Sequence, residues 1–471
     1  MFVARERELE KLNKMYNSGQ YEMAIIYGRR RVGKTTLIKE FCKDKNAIYF
    51  IARESNDLYN LESFSKDLLS GTTDGINKES VFKNWDDLLS YIYNIVKEQR
   101  MIIVIDEYPY LAQANKSISS IIQAHIDSKL KDSKLFLILC GSSMSFMEEQ
   151  VLGYKSPLYG RRTAQFKVKP FDFFEFIKYH KNFSNEEKAI IYGITGGIPE
   201  YLSKIDEGIS LRENIIEMFL REDGHLYEEP ASLLKQELRE PATYNAIITS
   251  IANGASKLNQ IATKAGIESN KCAKYLKSLI SIGIVRREKS INEELSKKSI
   301  YVLEDNMFKF WYRFVQNNMT NIVSGNSENL YDKIIEPQIN SYMGAIFEEI
   351  CKDYLMYENK YGKLPIMIGK IGRWWGGNKN TKKQEEIDIL AYDNENNAIF
   401  AECKWRNELV DISIINNIIK KSELFAYKNK YYYIFAKKGF TKGALNMQSD
   451  KIKLIRYQDM FSGTKGQVPC P

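Results

Sequence analysis

The stretch Gly28-Arg29-Arg30-Arg31-Val32-Gly33-Lys34-Thr35-Thr36 follows the apolar run Met23-Ala24-Ile25-Ile26-Tyr27 and precedes Leu37-Ile38-Lys39-Glu40-Phe41. It satisfies the pattern G-x-x-x-x-G-K-[ST], with the strand before it and the helix after it that the pattern requires. No other stretch constrains the fold as tightly. A glycine at each end lets the backbone curl until its N–H groups face a polyphosphate, and the following helix adds its positive end to that field. Lys34 is expected to reach the β- and γ-phosphates of a nucleoside triphosphate, and the Thr35 hydroxyl to ligate Mg²⁺. The nine residues together form the expected nucleotide cradle.

Two later runs read as strands of the same sheet. Met101-Ile102-Ile103-Val104-Ile105 is apolar throughout, as a strand covered on both faces requires, and it ends in Asp106-Glu107. Ligands of open α/β sheets bind beyond the carboxyl ends of the strands, where these two acids fall. Asp106 is expected to hold Mg²⁺ through water, and Glu107 to polarise the water that attacks. Leu135-Phe136-Leu137-Ile138-Leu139-Cys140 ends in Gly141-Ser142-Ser143. Ser142 would meet the γ-phosphate or the attacking water, or the two serines would cap the next helix. Arg161 and Arg162, in Pro157-Leu158-Tyr159-Gly160-Arg161-Arg162-Thr163, would meet a γ-phosphate in their own subunit or a neighbour's, or be ordinary surface arginines.

A chain of 471 residues exceeds one ordinary core, so several domains are expected. No apolar run spans a bilayer, and the start turns charged too early for a signal peptide, which predicts no membrane association. Six cysteines (Cys42, Cys140, Cys272, Cys351, Cys403, Cys470) show no paired spacing, which points to a reducing cytoplasm and away from disulfides or zinc. The three histidines stand alone, which disfavours histidine metal or triad chemistry. A net charge of +8 permits contact with nucleic acid without demanding it.

The middle of the chain reads as helix (244–251), glycine turn, and second helix (269–279) capped by Ser269, followed by a hairpin that opens at Gly283-Ile284-Val285-Arg286-Arg287-Glu288. Lys271, Lys274 and Lys277 lie at the spacing of one exposed helical surface. The dense aromatics of Met307-Phe308-Lys309-Phe310-Trp311-Tyr312-Arg313-Phe314 are expected to bury between domains, with a nucleic-acid stacking platform as the alternative. Further on, 344–355 reads as an amphipathic helix, and 386–391 and 398–405 as paired strands. Asp388 on the first strand and Glu402-x-Lys404 on the second have the spacing of a PD-(D/E)xK nuclease. Glu402 and Lys404 point to one side of an alternating strand. Two carboxylates can share Mg²⁺, and a lysine can stabilise the nucleophile or developing charge. Lys421 or its neighbours are expected to bind the nucleic-acid backbone.

The lead-in Arg5-Glu6, the 28–35 loop, Asp106-Glu107, Gly141-Ser142-Ser143 and Leu158-Tyr159-Gly160-Arg161-Arg162 together resemble archaeal-type ATPases of the AAA+/STAND group. Gly196-Gly197-Ile198-Pro199-Glu200-Tyr201-Leu202 matches the motif in which that group places a proline, here Pro199, beside ATP. No basic residue follows Pro199 within the motif, so the second-sensor arginine of cycling motors is missing, which favours a switch. The region near 335–460 resembles the DUF234 region appended to such ATPases, which is related to restriction-endonuclease folds. Glu348, in preference to Glu349, is placed like the additional acid of those nucleases.

The resemblance implies an α/β P-loop core over 1–170, a helical lid over 171–235 and a winged helix over 236–305. An aromatic connector (306–334), a nuclease-like α/β domain (335–461) and a tail (462–471) would follow. It implies ATP and Mg²⁺ as cofactors, DNA as partner, a protein partner as the alternative, and an oligomer as one form of assembly. The expected activity is ATP hydrolysis that switches a winged helix and a DNA-cutting domain. The competing reading is a sensor for a protein partner whose nuclease fold is inert.

Overall fold

The structure, a computed structural model, describes residues 2–72, 81–180, 182–291, 299–378 and 382–461. Contacts divide the chain into two compact units, Met1–Phe171 with Ile198–Ser203, and Asp172–Gly197 with Lys204–Pro471.

The first unit is built on β1 (Glu22–Tyr27), β2 (Ala47–Ile51), β3 (Met101–Asp106), β4 (Leu135–Gly141) and β5 (Ala164–Lys167). All pair in parallel, in the order β2-β3-β4-β1-β5. Every residue of β3 and β4 is buried, as the unbroken apolar runs predict for inner strands. Alternation divides them between two cores. Ile103, Ile105, Leu137 and Leu139 pack with Phe50, Phe64 and Trp85 on one face. Ile102, Val104, Phe136 and Ile138 pack with Leu37, Ile38 and Phe41 of the Lys34–Cys42 helix on the other. The carboxyl ends of β1, β3 and β4 therefore open at a common edge.

Arg5 has a structural task that its place in the lead-in does not reveal. It is 6% exposed, donates to Val32 O at 3.4 Å and to Lys169 O, and lies over the Phe171 ring. A guanidinium thus ties the phosphate loop to the strand-exit segment.

In the second unit the helices Pro241–Ala252, Leu258–Ala265 and Ser269–Ser281 precede an antiparallel pair, β6 (Val285–Lys289) and β7 (Ser299–Leu303). Ser269 opens its helix but does not cap it, because Glu268 holds the cap position and makes no side-chain cap bond. Lys271, Lys274 and Lys277 are exposed, as expected. The aromatic segment is core. Phe308, Phe310, Trp311, Tyr312 and Phe314 are buried, and Trp311 Nε1 donates to Tyr227 O at 2.7 Å. Buried rings offer no faces to bases, which overturns the stacking-platform alternative.

The helix expected at 344–355 runs from Glu336 to Lys360. Pro337 falls in its first turn, directly after the wider helical turn Tyr331–Ile335. It precedes a mixed sheet of β8 (Lys370–Gly377), β9 (Gln384–Tyr392), β10 (Asn397–Lys404), β11 (Asn429–Ala436) and β12 (Ile452–Arg456), ordered β12-β11-β10-β9-β8. Neighbours from β8 to β10 are antiparallel, and those from β10 to β12 are parallel. The Ile412–Ser422 helix links β10 to β11 and buries Ile415 and Ile418 against Phe400 and Ile434. Cys470 and the expected tail 462–471 lie outside the described residues. Among the described residues no helix is long and apolar enough to cross a membrane.

Candidate functional site

The phosphate loop leaves β1 through Gly28, where a Cβ would sit 2.2 Å from Val168 O and no side chain fits. Arg31 (φ 71°) and Gly33 (φ 87°) turn through left-handed backbone, and Val32 between them is fully buried. Lys34, 7% exposed, folds over the loop and donates to Arg29 O at 2.9 Å. Arg29 is buried, Arg30 donates to the Tyr110 hydroxyl at 2.9 Å, and Thr36 is exposed. The chain returns to this unit at Ile198–Ser203, which sets Pro199 Cγ 3.7 Å from the Cβ position of Gly33. Arg31 adds a 4.0 Å contact to Glu200 and lies over the Tyr201 ring.

Across the sheet edge, Thr35 Oγ1 donates to Asp106 Oδ2 at 3.1 Å. A hydroxyl and a carboxylate meeting beside a phosphate cradle are the hard oxygen donors Mg²⁺ prefers, so these residues fit the ion. Asp106 Oδ1 accepts the Glu107 N–H at 2.9 Å. Glu107 itself adopts a left-handed backbone (φ 51°), which turns its side chain across to β4. There Ser142 donates to Glu107 Oε2 through its hydroxyl at 2.9 Å and its N–H at 3.3 Å. Ser142 thus holds an acid. Ser143 takes the cap position of the Met144–Phe146 turn without a side-chain bond.

Arg161 and Arg162 stand elsewhere. They precede β5, where Thr163 N–H donates to Met23 O at the amino end of β1, roughly 20 Å of strand from the loop. Arg161 is tied to Asp127 at 2.8 and 3.1 Å, and Arg162 lies over the Tyr159 ring. A phosphate contact within the same chain is therefore not available to either, which corrects that part of the expectation.

In the second unit, Asp388 on β9 meets Glu402 and Lys404 on β10. The Lys404 ammonium donates to Glu402 Oε1 at 2.7 Å and lies 3.6 Å from Asp388 Oδ2. The Cys403 N–H donates to Asp388 Oδ2 at 2.8 Å. Burial works against the charge on Lys404, but Asp388 and Glu402 outweigh it and hold the ammonium above the ordinary lysine range. Lys421, expected on nucleic-acid backbone, instead approaches Glu402 Oε2 at 3.5 Å. Glu348 is pushed up to about 7 by burial and then by Asp388, whereas Glu349 turns away to pair with Arg286 at 2.6 Å. Helix phase, which sequence could not resolve, thus separates the two acids. Among the described residues no group of three or more acids, cysteines or histidines is arranged to hold a metal, and the Lys404 ammonium lies against both carboxylates, Asp388 and Glu402. A cavity of about 120 Å³ lies between the β6–β7 pair and this sheet, lined among others by Arg286, Glu288, Glu348, Arg373 and Asp388.

Two features of these sites escape sequence reasoning. Tyr49, on β2, donates to Asp106 Oδ2 at 2.5 Å, and Lys421 closes the ion-pair network at Glu402. Only the alternation of β2 carried a trace of the first, since it places Tyr49 on the same face as the loop helix.

A five-stranded parallel sheet with this loop and these acids at its carboxyl edge defines a P-loop ATPase fold. A family model described as an ATPase domain predominantly from Archaea matches residues 2–205. A second, DUF234, described as archaeal and bacterial proteins of unknown function, matches 311–418. The uncharacterised protein MJECL04 of Methanocaldococcus jannaschii is 36% identical over 446 residues, which cover 93% of this chain and 96% of that one. The chain belongs to this family of archaeal ATPases with a C-terminal DUF234 region. The uncharacterised ATP-binding protein MJ0074 of the same organism is 25% identical over 258 residues, 45% of this chain and 72% of that one. Among solved structures, the Walker-type ATPase PABY2304 of Pyrococcus abyssi superposes with a TM-score of 0.51 at 20% identity, over 66% of this chain and 96% of that one. That likeness supports the fold alone.

Proposed function

We propose that the protein is a cytoplasmic, Mg²⁺-dependent ATP switch that governs access to the acid–lysine site of a nuclease-like C-terminal domain, with DNA as its partner. Lys34 and the loop N–H groups bind the phosphates, Thr35 and Asp106 hold the ion, and Glu107, steadied by Ser142, orients the attacking water. Mg²⁺ supplies charge neutralisation across the phosphates. Arg161 or Arg162 would serve a neighbouring subunit's nucleotide.

The observation that carries the switch is the pin between the β6–β7 pair and the helix bearing Glu348. Arg286 bridges Glu288 of its own strand and Glu349 of that helix. Trp375 N–H donates to Ser290 Oγ at 3.1 Å, and Ile291 N–H to Arg373 O at 3.1 Å. With that pin made, the β6–β7 pair stands against Asp388 across the cavity, and the proposed switch takes this arrangement as its closed state. Coupling to nucleotide follows the covalent path, because the chain leaves the ATPase unit at Phe171, returns to set Pro199 beside Gly33, and leaves again after Ser203. The helices of 241–281 with β6 and β7 have the element order of a winged helix, and exposed Lys271, Lys274 and Lys277 would meet phosphates. The partition proposed is core 1–170, lid 171–235, winged helix 236–305, connector 306–334 and nuclease-like domain 335–461.

The second reading, a sensor for a protein partner with a non-cutting nuclease fold, is favoured by one observation. Lys404 and Lys421 both ion-pair with Glu402, and no three-ligand metal group is present among the described residues.

The test is cleavage of plasmid, linear and branched DNA with Mg²⁺ or Mn²⁺, with and without ATP, using Lys34→Ala and Glu402→Ala. Loss of cutting in both variants supports ATP-gated cleavage. Loss in Glu402→Ala alone means a nuclease that ignores ATP, and no cutting with intact ATP turnover moves the conclusion to the protein sensor.

A further inference from the structure

The geometry points to Tyr49 as a positioning residue that holds Asp106 in the rotamer through which the ATPase site takes its metal ion. Tyr49 lies in the middle of β2, paired in register with Val104 of β3. Residues in register share a face, so its side chain stands on the side where the Lys34–Cys42 helix packs, as Val104 does. From there its phenol reaches along the sheet to Asp106 Oδ2 at 2.5 Å, the same oxygen that accepts the Thr35 hydroxyl at 3.1 Å.

The other oxygen, Oδ1, accepts the Glu107 N–H at 2.9 Å. Asp106 is therefore fixed by the loop helix, by its own chain and by the neighbouring strands. The contacts from Tyr49 and from the buried Cys140 thiol of β4 come from outside the loop and the acid pair. Without the phenol, Oδ2 would keep the Thr35 hydroxyl, itself expected to turn to the ion, and the carboxylate would swing more freely about its side-chain torsions. A phenol, which is a donor at neutral pH, removes that freedom before an ion arrives. Groups that orient metal-binding side chains in this way typically contribute a tenfold to hundredfold gain in metal affinity.

The Tyr49 phenol meets Asp106 and Thr35, the two groups on the ion's side of the site. Its removal should therefore leave metal-free nucleotide binding alone and act on the ion. This separates a positioning role from simple packing, because Tyr49→Phe keeps the ring and removes only the hydroxyl. The inference rests on the ATPase site and is independent of whether the C-terminal domain cuts DNA.

The experiment is a fluorescence titration of the full chain with a fluorescently labelled ATP, first in EDTA and then across a Mg²⁺ series, for wild type, Tyr49→Phe and Thr35→Ala. In Tyr49→Phe, affinity in EDTA should stay within about twofold of wild type, while the Mg²⁺ concentration for half-maximal tightening rises about tenfold. Thr35→Ala should shift in the same direction. On an Asp106→Asn background, adding Tyr49→Phe should produce no further shift. Thermal unfolding of each variant accompanies the titration. An unchanged Mg²⁺ midpoint in Tyr49→Phe, an equal loss of affinity with and without metal, or binding that ignores Mg²⁺ in the wild type would each overturn the assignment.

Discussion

Ser142 donates its hydroxyl to Glu107 Oε2 across 2.9 Å, and its backbone N–H lies 3.3 Å from the same oxygen. The two residues directly follow the adjacent strands β3 and β4, so the position of the acid is set by the β3–β4 pairing and not by its own loop. A left-handed backbone at Glu107 is what lets the side chain turn that way.

Ser142→Ala should lower kcat for ATP hydrolysis about tenfold with nucleotide affinity unchanged, since one charge-assisted bond is lost and the N–H contact remains. Glu107→Gln should go further, abolishing turnover while retaining binding. Steady-state kinetics beside a binding titration separate the two effects, and weakened binding in Ser142→Ala would place its role in the loop instead.

Lys34 is nearly buried and sits at the head of the loop helix, so Lys34→Ala should lower ATP affinity or turnover by about 10²-fold or more. Calorimetry checks the first and phosphate release the second.

Arg161 stands at the opposite edge of the sheet from the loop, tied to Asp127. Arg161→Ala should leave ATP affinity within about twofold of wild type, because exposed ion pairs contribute little. A dependence of ATP turnover on protein concentration in the wild type, absent in the variant, is what action on a neighbouring subunit would produce.

Removing Arg286 strands Glu349 and Glu288 in partly buried positions. Arg286→Ala should destabilise the second unit by roughly 1–3 kcal/mol and speed amide exchange across 285–289 and 370–377. Denaturant unfolding and exchange mass spectrometry report these separately. Unchanged exchange would remove the pin from the switch.

Asp353 is pushed up to about 7 by burial and by the charge of Asp172, although its carboxylate accepts the Phe173 N–H at 3.3 Å. A carboxyl whose folded pKa lies above its unfolded value favours the native state fully below the unfolded pKa, and that support is lost as pH rises through about 7. Asp353→Asn keeps an acceptor for Phe173 and cannot ionise. Relative to wild type it should gain on the order of 1–3 kcal/mol between pH 5 and pH 8, measured by denaturant unfolding at both.

Much of this molecule is determined locally. The glycine spacing around Lys34 and the acids that end an apolar run are consequences of adjacent residues, so the strand, loop and helix, and the strand that ends at Asp106, can be read from the chain itself. The spacing of Asp388, Glu402 and Lys404 on neighbouring strands is equally local, because two strands joined by a short turn pair wherever their apolar faces agree.

What the tertiary structure alone decided are meetings between residues far apart in the chain. Tyr49 reaches Asp106 because β2 lies beside β3, and no periodicity announces that a strand tyrosine will reach the acid that ends its neighbour. Arg161 went to Asp127 and the amino edge of the sheet because β5 starts in register with Ala24, whereas sequence order alone left it free to meet a phosphate. Glu348 and Glu349 are indistinguishable as neighbours, yet the rotation between successive helical residues turns one to Asp388 and the other to Arg286. Lys421 illustrates the same limit. Its charge is legible as a capacity to bind an anion, but which anion it meets depends on how the Ile412–Ser422 helix packs on the sheet, and there it lies beside Glu402. Patterns along the chain encode which groups are available, and packing over long separations decides which of them share a site.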